Sequence, residues 1–176
     1  MDTEGKEQPP LNLDSCNVIL DTAKTVYNEE YDRFKQIETK TGVTIGFVGV
    51  LFGFIITYLT TIKLGNNDAG YLIYTFGIRF VIVTLLAISA LKYLGAIKVG
   101  KFEQIDIDEV VDTRLASRPP EELTLTIAAT YLKVIKENEE KINQKTDKYN
   151  DGLKLMVSGF LLFLIYFFLE EVIKYV

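Results

Sequence analysis

The sequence predicts an all-α membrane protein, with three transmembrane helices and two long cytoplasmic helices forming a juxtamembrane stalk. Three observations predict it. Long charge-poor apolar runs begin near residues 43, 71 and 153. The stretches between them are dense in Lys, Glu and Asp, with apolar residues at helical spacing. Lys and Arg collect in two of those stretches and are almost missing from a third.

The chain has 176 residues, which suits one domain. Residues 1–16, MDTEGKEQPPLNLDSC, are polar, acidic and broken by Pro9 and Pro10, and read as a disordered tail. They show neither the basic start nor the apolar core of a secretory signal. Residues 17–41 follow as a cytoplasmic amphipathic helix, with Leu20, Ala23, Tyr27, Phe34 and Ile37 three to four residues apart.

The first span is Val43 to Ile62, VTIGFVGVLFGFIITYLTTI, uncharged between Lys40 and Lys63. Twenty residues at ~1.5 Å each cover about 30 Å, the thickness of the hydrocarbon layer. Gly46, Gly49 and Gly53 lie in it, and the last two form a GxxxG pair that lets helix backbones approach closely. The spacing predicts a packing face and leaves open whether the partner helix is in the same chain. Residues 63–70 form an outer loop containing Asn66 and Asn67.

The second span, residues 71–96, carries Arg79 and Lys92. Only twelve residues separate them, too few to cross alone, so the span requires each side chain to snorkel toward its own interface. A charge inside a span is costly. Arg79 can line an aqueous path, pair with Glu170 or Glu171 on the same outer side, or fix helix depth at the interface. Tyr71, Tyr74 and Tyr93 stand where an interfacial aromatic belt would place them.

Residues 97–152 form a cytoplasmic helical segment. Phe102 to Asp108 alternates and reads as extended, Glu109 to Ser117 as a short helix, and Pro119-Pro120 breaks that helix and starts the next. From Glu121, the residues Ile127, Tyr131, Val134, Ile142 and Tyr149 mark a long helix running toward the third span. Asn138 and Lys145 interrupt its apolar stripe. Narrow interrupted stripes fit helix–helix association. Phe34, Ile37, Tyr131, Asn138, Ile142 and Tyr149 are therefore expected to associate in the stalk, and a homo-oligomer is expected to bury them. The third span is residues 153–172, in which Lys154 snorkels and Glu170 and Glu171 close the apolar run.

Orientation follows from charge. Five Lys or Arg precede the first span, ten lie between Lys98 and Lys154, and the outer loop has none beyond Lys63 at its edge. The N-terminus is thus expected in the cytoplasm and the C-terminus outside, in a plasma (inner) membrane.

Composition argues against several chemistries. Histidine is absent, which removes the commonest general base and metal ligand. Cys16 is alone, so no intramolecular disulfide or cysteine zinc site can form. The net charge of −5 and the lack of a basic patch argue against direct nucleic-acid binding. Asp106, Asp108, Glu109 and Asp112, with Glu103, gather carboxylates without EF-hand spacing, and read as a solvated acidic loop rather than a calcium site. No catalytic, cofactor-binding or metal-binding residue is assigned, and the chain is not expected to be an enzyme. Its expected partners are the bilayer, further copies of itself and a cytosolic protein docked on the stalk.

One resemblance adds to this. The segments YNEEYDRFKQIETKTG, entering a glycine-containing span, and YLKVIKENEEKINQKTDKYNDGLKL, leading into the last span, resemble a widespread group of small prokaryotic membrane proteins. Asn138, Asn143, Lys145 and Tyr149 carry the likeness in the second segment. Proteins of this design are similar to transmembrane effectors of anti-phage systems, including those activated by cyclic nucleotides or accompanying CRISPR nucleases. The resemblance implies a homo-oligomer that breaches the membrane by forming or gating a pore. This chain has no evident nucleotide-binding domain and, lacking His, no RxxxxH ribonuclease motif. The rival expectation is an anchored module whose stalk docks a soluble partner.

Overall fold

The computed structural model describes residues 11–61, 68–105 and 117–175, with residues 174 and 175 as backbone only. All regular structure among them is helical: α1 (Leu13–Thr61), α2 (Ala69–Lys98) and α3 (Pro120–Tyr175). Each is long and apolar enough to cross a membrane. Among the described residues no stalk helices stand apart from these three. The segments expected to form them are the N-terminal parts of α1 and α3, each continuous with an apolar run. Continuity at Gly42 has a simple reason: one glycine costs a helix about 1 kcal/mol, too little to end it.

The helix ends carry local signals. The Asn12 side chain accepts from the backbone N–H groups of Asp14 and Ser15 at 2.8 and 3.3 Å, starting α1 at Leu13. The last four residues of the expected disordered tail are therefore helical, and Cys16 is buried. Asp68 caps α2 through Gly70 and Tyr71, so α2 takes in the final two residues of the expected outer loop. Pro120 opens α3 with Glu121 and Glu122 in its first turn, where a missing N–H and negative charge both suit the helix dipole. The expected short helix 109–117 and the acidic residues Asp106, Asp108, Glu109 and Asp112 lie outside the described residues, apart from Ser117 in a turn.

The chain divides into two compact units. One comprises Met1–Phe34 and Lys101–Lys141, the other Lys35–Gly100 and Ile142–Val176. In the first, Phe102 is packed edge-on against Tyr27, Tyr31 and Phe34, with ring centroids 5.2 to 5.5 Å apart. Tyr27 also meets Tyr131 edge-on. Asn138, fully buried, holds the non-helical segment behind Phe102: its amide accepts from Glu103 N at 2.7 Å and donates to Glu103 O at 2.9 Å. The polar interruption in the stripe is thus a backbone clamp, pairing groups that the lack of regular structure leaves over.

The second unit holds the apolar core, Ile55, Leu59, Ile82, Leu86, Phe163 and Tyr166. Here α2 and α3 run antiparallel in a constant register. Tyr93 faces Gly152, Leu86 faces Gly159, Arg79 meets Tyr166 and Thr75 meets Glu170. Phe34, Ile37, Asn138 and Ile142 are buried, and Tyr131 and Tyr149 half-buried, within a single chain. The chain's own helices thus cover these six residues wholly or in part.

Candidate functional site

Within the apolar part of the second unit, one cluster of polar groups joins all three helices. The Arg79 guanidinium donates from Nε to the Tyr166 hydroxyl at 2.8 Å and from Nη1 to the Leu59 carbonyl at 2.6 Å. Its carbon also lies over the Tyr166 ring, 5.6 Å from the centroid. Glu170 is 2 % exposed and accepts from the Tyr71 hydroxyl at 2.6 Å and, at 3.5 Å, from the Thr75 hydroxyl. The Tyr166 hydroxyl, which accepts from Arg79, stands one turn of α3 before Glu170. Among the described residues Arg79 and Glu170 make no direct ion pair and keep separate hydrogen-bond partners. Glu171, the neighbouring carboxylate, is half-buried.

Helix electrostatics favour this placement. Leu59 lies in the last described turn of α1, toward the negative end of the helix dipole. Arg79 supplies the cation there, since α1 has no basic residue of its own in that turn. Tyr71 is in the first turn of α2, whose exposed N–H groups carry positive potential, and Glu170 answers it. A buried charge in an apolar setting is tolerable only when paired and hydrogen-bonded. This cluster meets the requirement except at Arg79 Nη2, which is buried without a hydrogen-bond partner among the described residues.

At the other end of the apolar core, Lys92 donates to Asp151 at 2.9 Å, with both side chains about half exposed. The hydrogen bond and positive charge of Lys92 hold the Asp151 carboxyl below its ordinary value of 3.8. Ser89 donates to the Gly152 carbonyl at 2.7 Å, and Lys145, itself 2 % exposed, donates to Glu38 at 2.9 Å.

The glycines split into two sets. A Cβ placed on Gly46, Gly49 or Gly53 would meet nothing within 4 Å, so among the described residues no other helix packs closely against them. All three are exposed, and Gly49 lines an apolar groove of about 410 Å³ with Ile45, Val48 and Phe52 of α1 and Leu86, Ala90 and Leu94 of α2. Only 17 % of the most apolar stretch of α1 is buried, against 28 % in the corresponding stretches of α2 and α3. The close approaches occur elsewhere. A Cβ on Gly152 would come within 3.1 Å of the Tyr93 ring, and one on Gly159 within 3.2 Å of Leu86.

Sequence reasoning singled out Arg79 and Glu170 but missed Tyr166, Tyr71, Thr75 and the Leu59 carbonyl. Spacing held a usable signal: Tyr71, Thr75 and Arg79 recur every four residues in α2, as do Tyr166 and Glu170 in α3. Gly152 and Gly159 were missed as well, although their seven-residue separation keeps them on one helix face. Comparisons with protein-family models, with curated proteins and with solved structures return no match.

Proposed function

We propose that the chain is a non-enzymatic, homo-oligomeric protein of a prokaryotic plasma (inner) membrane that forms or gates a pore, as an effector of anti-phage defence. In this reading the N-terminal parts of α1 and α3 are cytoplasmic and the C-terminus is outside, following the distribution of Lys and Arg. The observation that carries the reading is the unoccupied glycine face of α1, where Gly46, Gly49 and Gly53 leave backbone open beside an apolar groove. In a bilayer, lipid is as apolar as leucine, so helices associate chiefly where small residues let backbones close up. Lipid alone does not call for three glycines on one exposed face. Second copies of α1 packed there would repeat the bundle around an axis and set its α2 faces toward one another.

Arg79 then acts as the pin that keeps each bundle closed, joining α1, α2 and α3, rather than as a residue of the pore wall. Dye release from liposomes tests the reading. Wild-type protein is expected to release an entrapped dye, and the double variant Gly49→Leu, Gly53→Leu to remain folded and fail to release it. Equal release by the two proteins would contradict the proposal.

A second reading, an anchored module that docks a soluble partner, is favoured by Val18 and Ile19, which are 66 % and 51 % exposed in the first unit. Charged substitutions at both positions are expected to leave dye release intact if the pore reading holds. They would abolish activity in cells without altering release if docking is the function.

A further inference from the structure

A fully buried ammonium at the edge of a cavity suggests a ligand. Glu38, Thr41, Ala96, Ile97 and Lys145, all in the second unit, line a cavity of about 270 Å³. Lys145 and Thr41 are each 2 % exposed, whereas the Glu38 side chain is half exposed. Burial of a lysine is expensive unless its charge is met. Here it is met at 2.9 Å by a carboxylate that solvent also reaches. The cation is fixed in the bundle and the anion beside it is replaceable.

We infer that this cavity is a binding site for a phosphate-bearing group, with the Lys145 ammonium as its anchor. The chemistry of the lining fits. The Thr41 hydroxyl donates to the Ile37 carbonyl at 2.7 Å, so its proton is committed, and the Lys145 ammonium is the cation in the lining. Ala96 and Ile97 give an apolar wall on one side, which suits a glycerol or acyl stem attached to the phosphate. The volume lies just below the range of about 300–1,000 Å³ typical of drug-sized ligands, and so suits a head group better than a bulky solute. An incoming phosphate competes with Glu38 for the same ammonium. Glu38 thus sets the affinity, and its displacement loosens a contact between α1 and α3.

Thermal unfolding of the full-length protein in detergent provides the test, with phosphatidic acid, the phosphate-free lipid diacylglycerol or inorganic phosphate added. Phosphatidic acid is expected to raise the melting temperature, and diacylglycerol is not. A matching rise with inorganic phosphate would assign the site to phosphate in general, and a rise with phosphatidic acid alone to a lipid head group. Lys145→Met keeps the volume of the buried side chain and is expected to weaken the effect roughly tenfold or more. Glu38→Gln removes the competitor and is expected to lower the concentration for half-effect about fivefold. Glu139→Gln, an exposed carboxylate in the other unit, controls for net charge and is expected to change nothing. Three results would overturn the inference: no anion-dependent rise in the wild type, an undiminished rise in Lys145→Met, or no strengthening in Glu38→Gln. The last applies even if Lys145→Met does not fold.

Discussion

Glycines in α1 and α3 occupy opposite environments. Gly152 and Gly159 in α3 are places where α2 comes so close that a methyl group would have to displace the Tyr93 ring or the Leu86 side chain. Gly46, Gly49 and Gly53 in α1 face open space, on the helix whose apolar stretch is least buried. The first set closes the bundle, and the second leaves a surface that the described residues do not use. The difference teaches that a GxxxG spacing reports a face capable of close approach without saying what approaches it. The two sets can be separated experimentally, because one should answer to folding and the other to assembly.

The largest effect is expected at Gly159→Leu. Its Cβ would start 3.2 Å from Leu86 and 3.3 Å from Leu85, and three further carbons have no room in a packed α2–α3 contact. Overpacking of this kind costs about 3 kcal/mol, read as a fall in the unfolding midpoint in detergent. Gly152→Ala presses on the Tyr93 ring, which is itself packed against Tyr149, and is expected to cost roughly 1–2 kcal/mol. A midpoint unchanged in both would show that the antiparallel register described here is wrong.

Next is Arg79→Met, which removes the donor to the Leu59 carbonyl and the Tyr166 hydroxyl. Unsatisfied buried acceptors cost about 1–3 kcal/mol, and the loss should be largest of all among the substitutions of the polar cluster. Glu170→Gln retains an acceptor for Tyr71 and is expected to cost less than Arg79→Met in the same assay.

A smaller effect is expected at Gly46→Ala and Gly49→Ala. With nothing within 4 Å of the added carbon, the unfolding midpoint of the dispersed single chain should stay the same or rise slightly, since alanine favours helix. Any marked destabilisation there would mean that the two sets of glycines are not distinct.

The smallest is a pH dependence at Asp151. Its folded-state carboxyl titrates below 3.8 because Lys92 holds the charged form. The stabilisation is therefore fully present above the unfolded value near 3.8 and is lost as the pH falls through the lower folded value. Asp151→Asn should flatten that acid limb of a melting curve against pH. Salt should flatten it as well, since the pair is half exposed.

Much of the architecture was legible because a membrane imposes its own arithmetic. Twenty apolar residues around Gly49 are long enough to cross a membrane by length alone. The charge-free run before Glu170 is long enough only with Lys154 snorkelling, and Asp68 and Pro120 mark helix starts by their chemistry. What sequence left unread was partnership. Asn138 looked like a flaw in a stripe and is a clamp on the Glu103 backbone, because nothing local tells an interrupted stripe from one that receives a third segment. Phe102 was likewise placed in an extended stretch, yet its role as the centre of an aromatic cluster depends on α1. Arg79 stood out as a charge in an apolar run, while Tyr166 did not, since a tyrosine there reads equally well as an interfacial aromatic.

Oligomeric mass tests the central claim most directly. The masses of the wild-type protein and of the double variant Gly49→Leu, Gly53→Leu would be measured in lipid nanodiscs, corrected for bound lipid, beside their unfolding midpoints. The expected result is a defined wild-type assembly of four or more copies and a monomeric variant that unfolds no earlier than the dispersed wild-type chain. A wild-type monomer, or a variant of unchanged oligomeric mass, would contradict the assignment of the α1 glycine face to assembly.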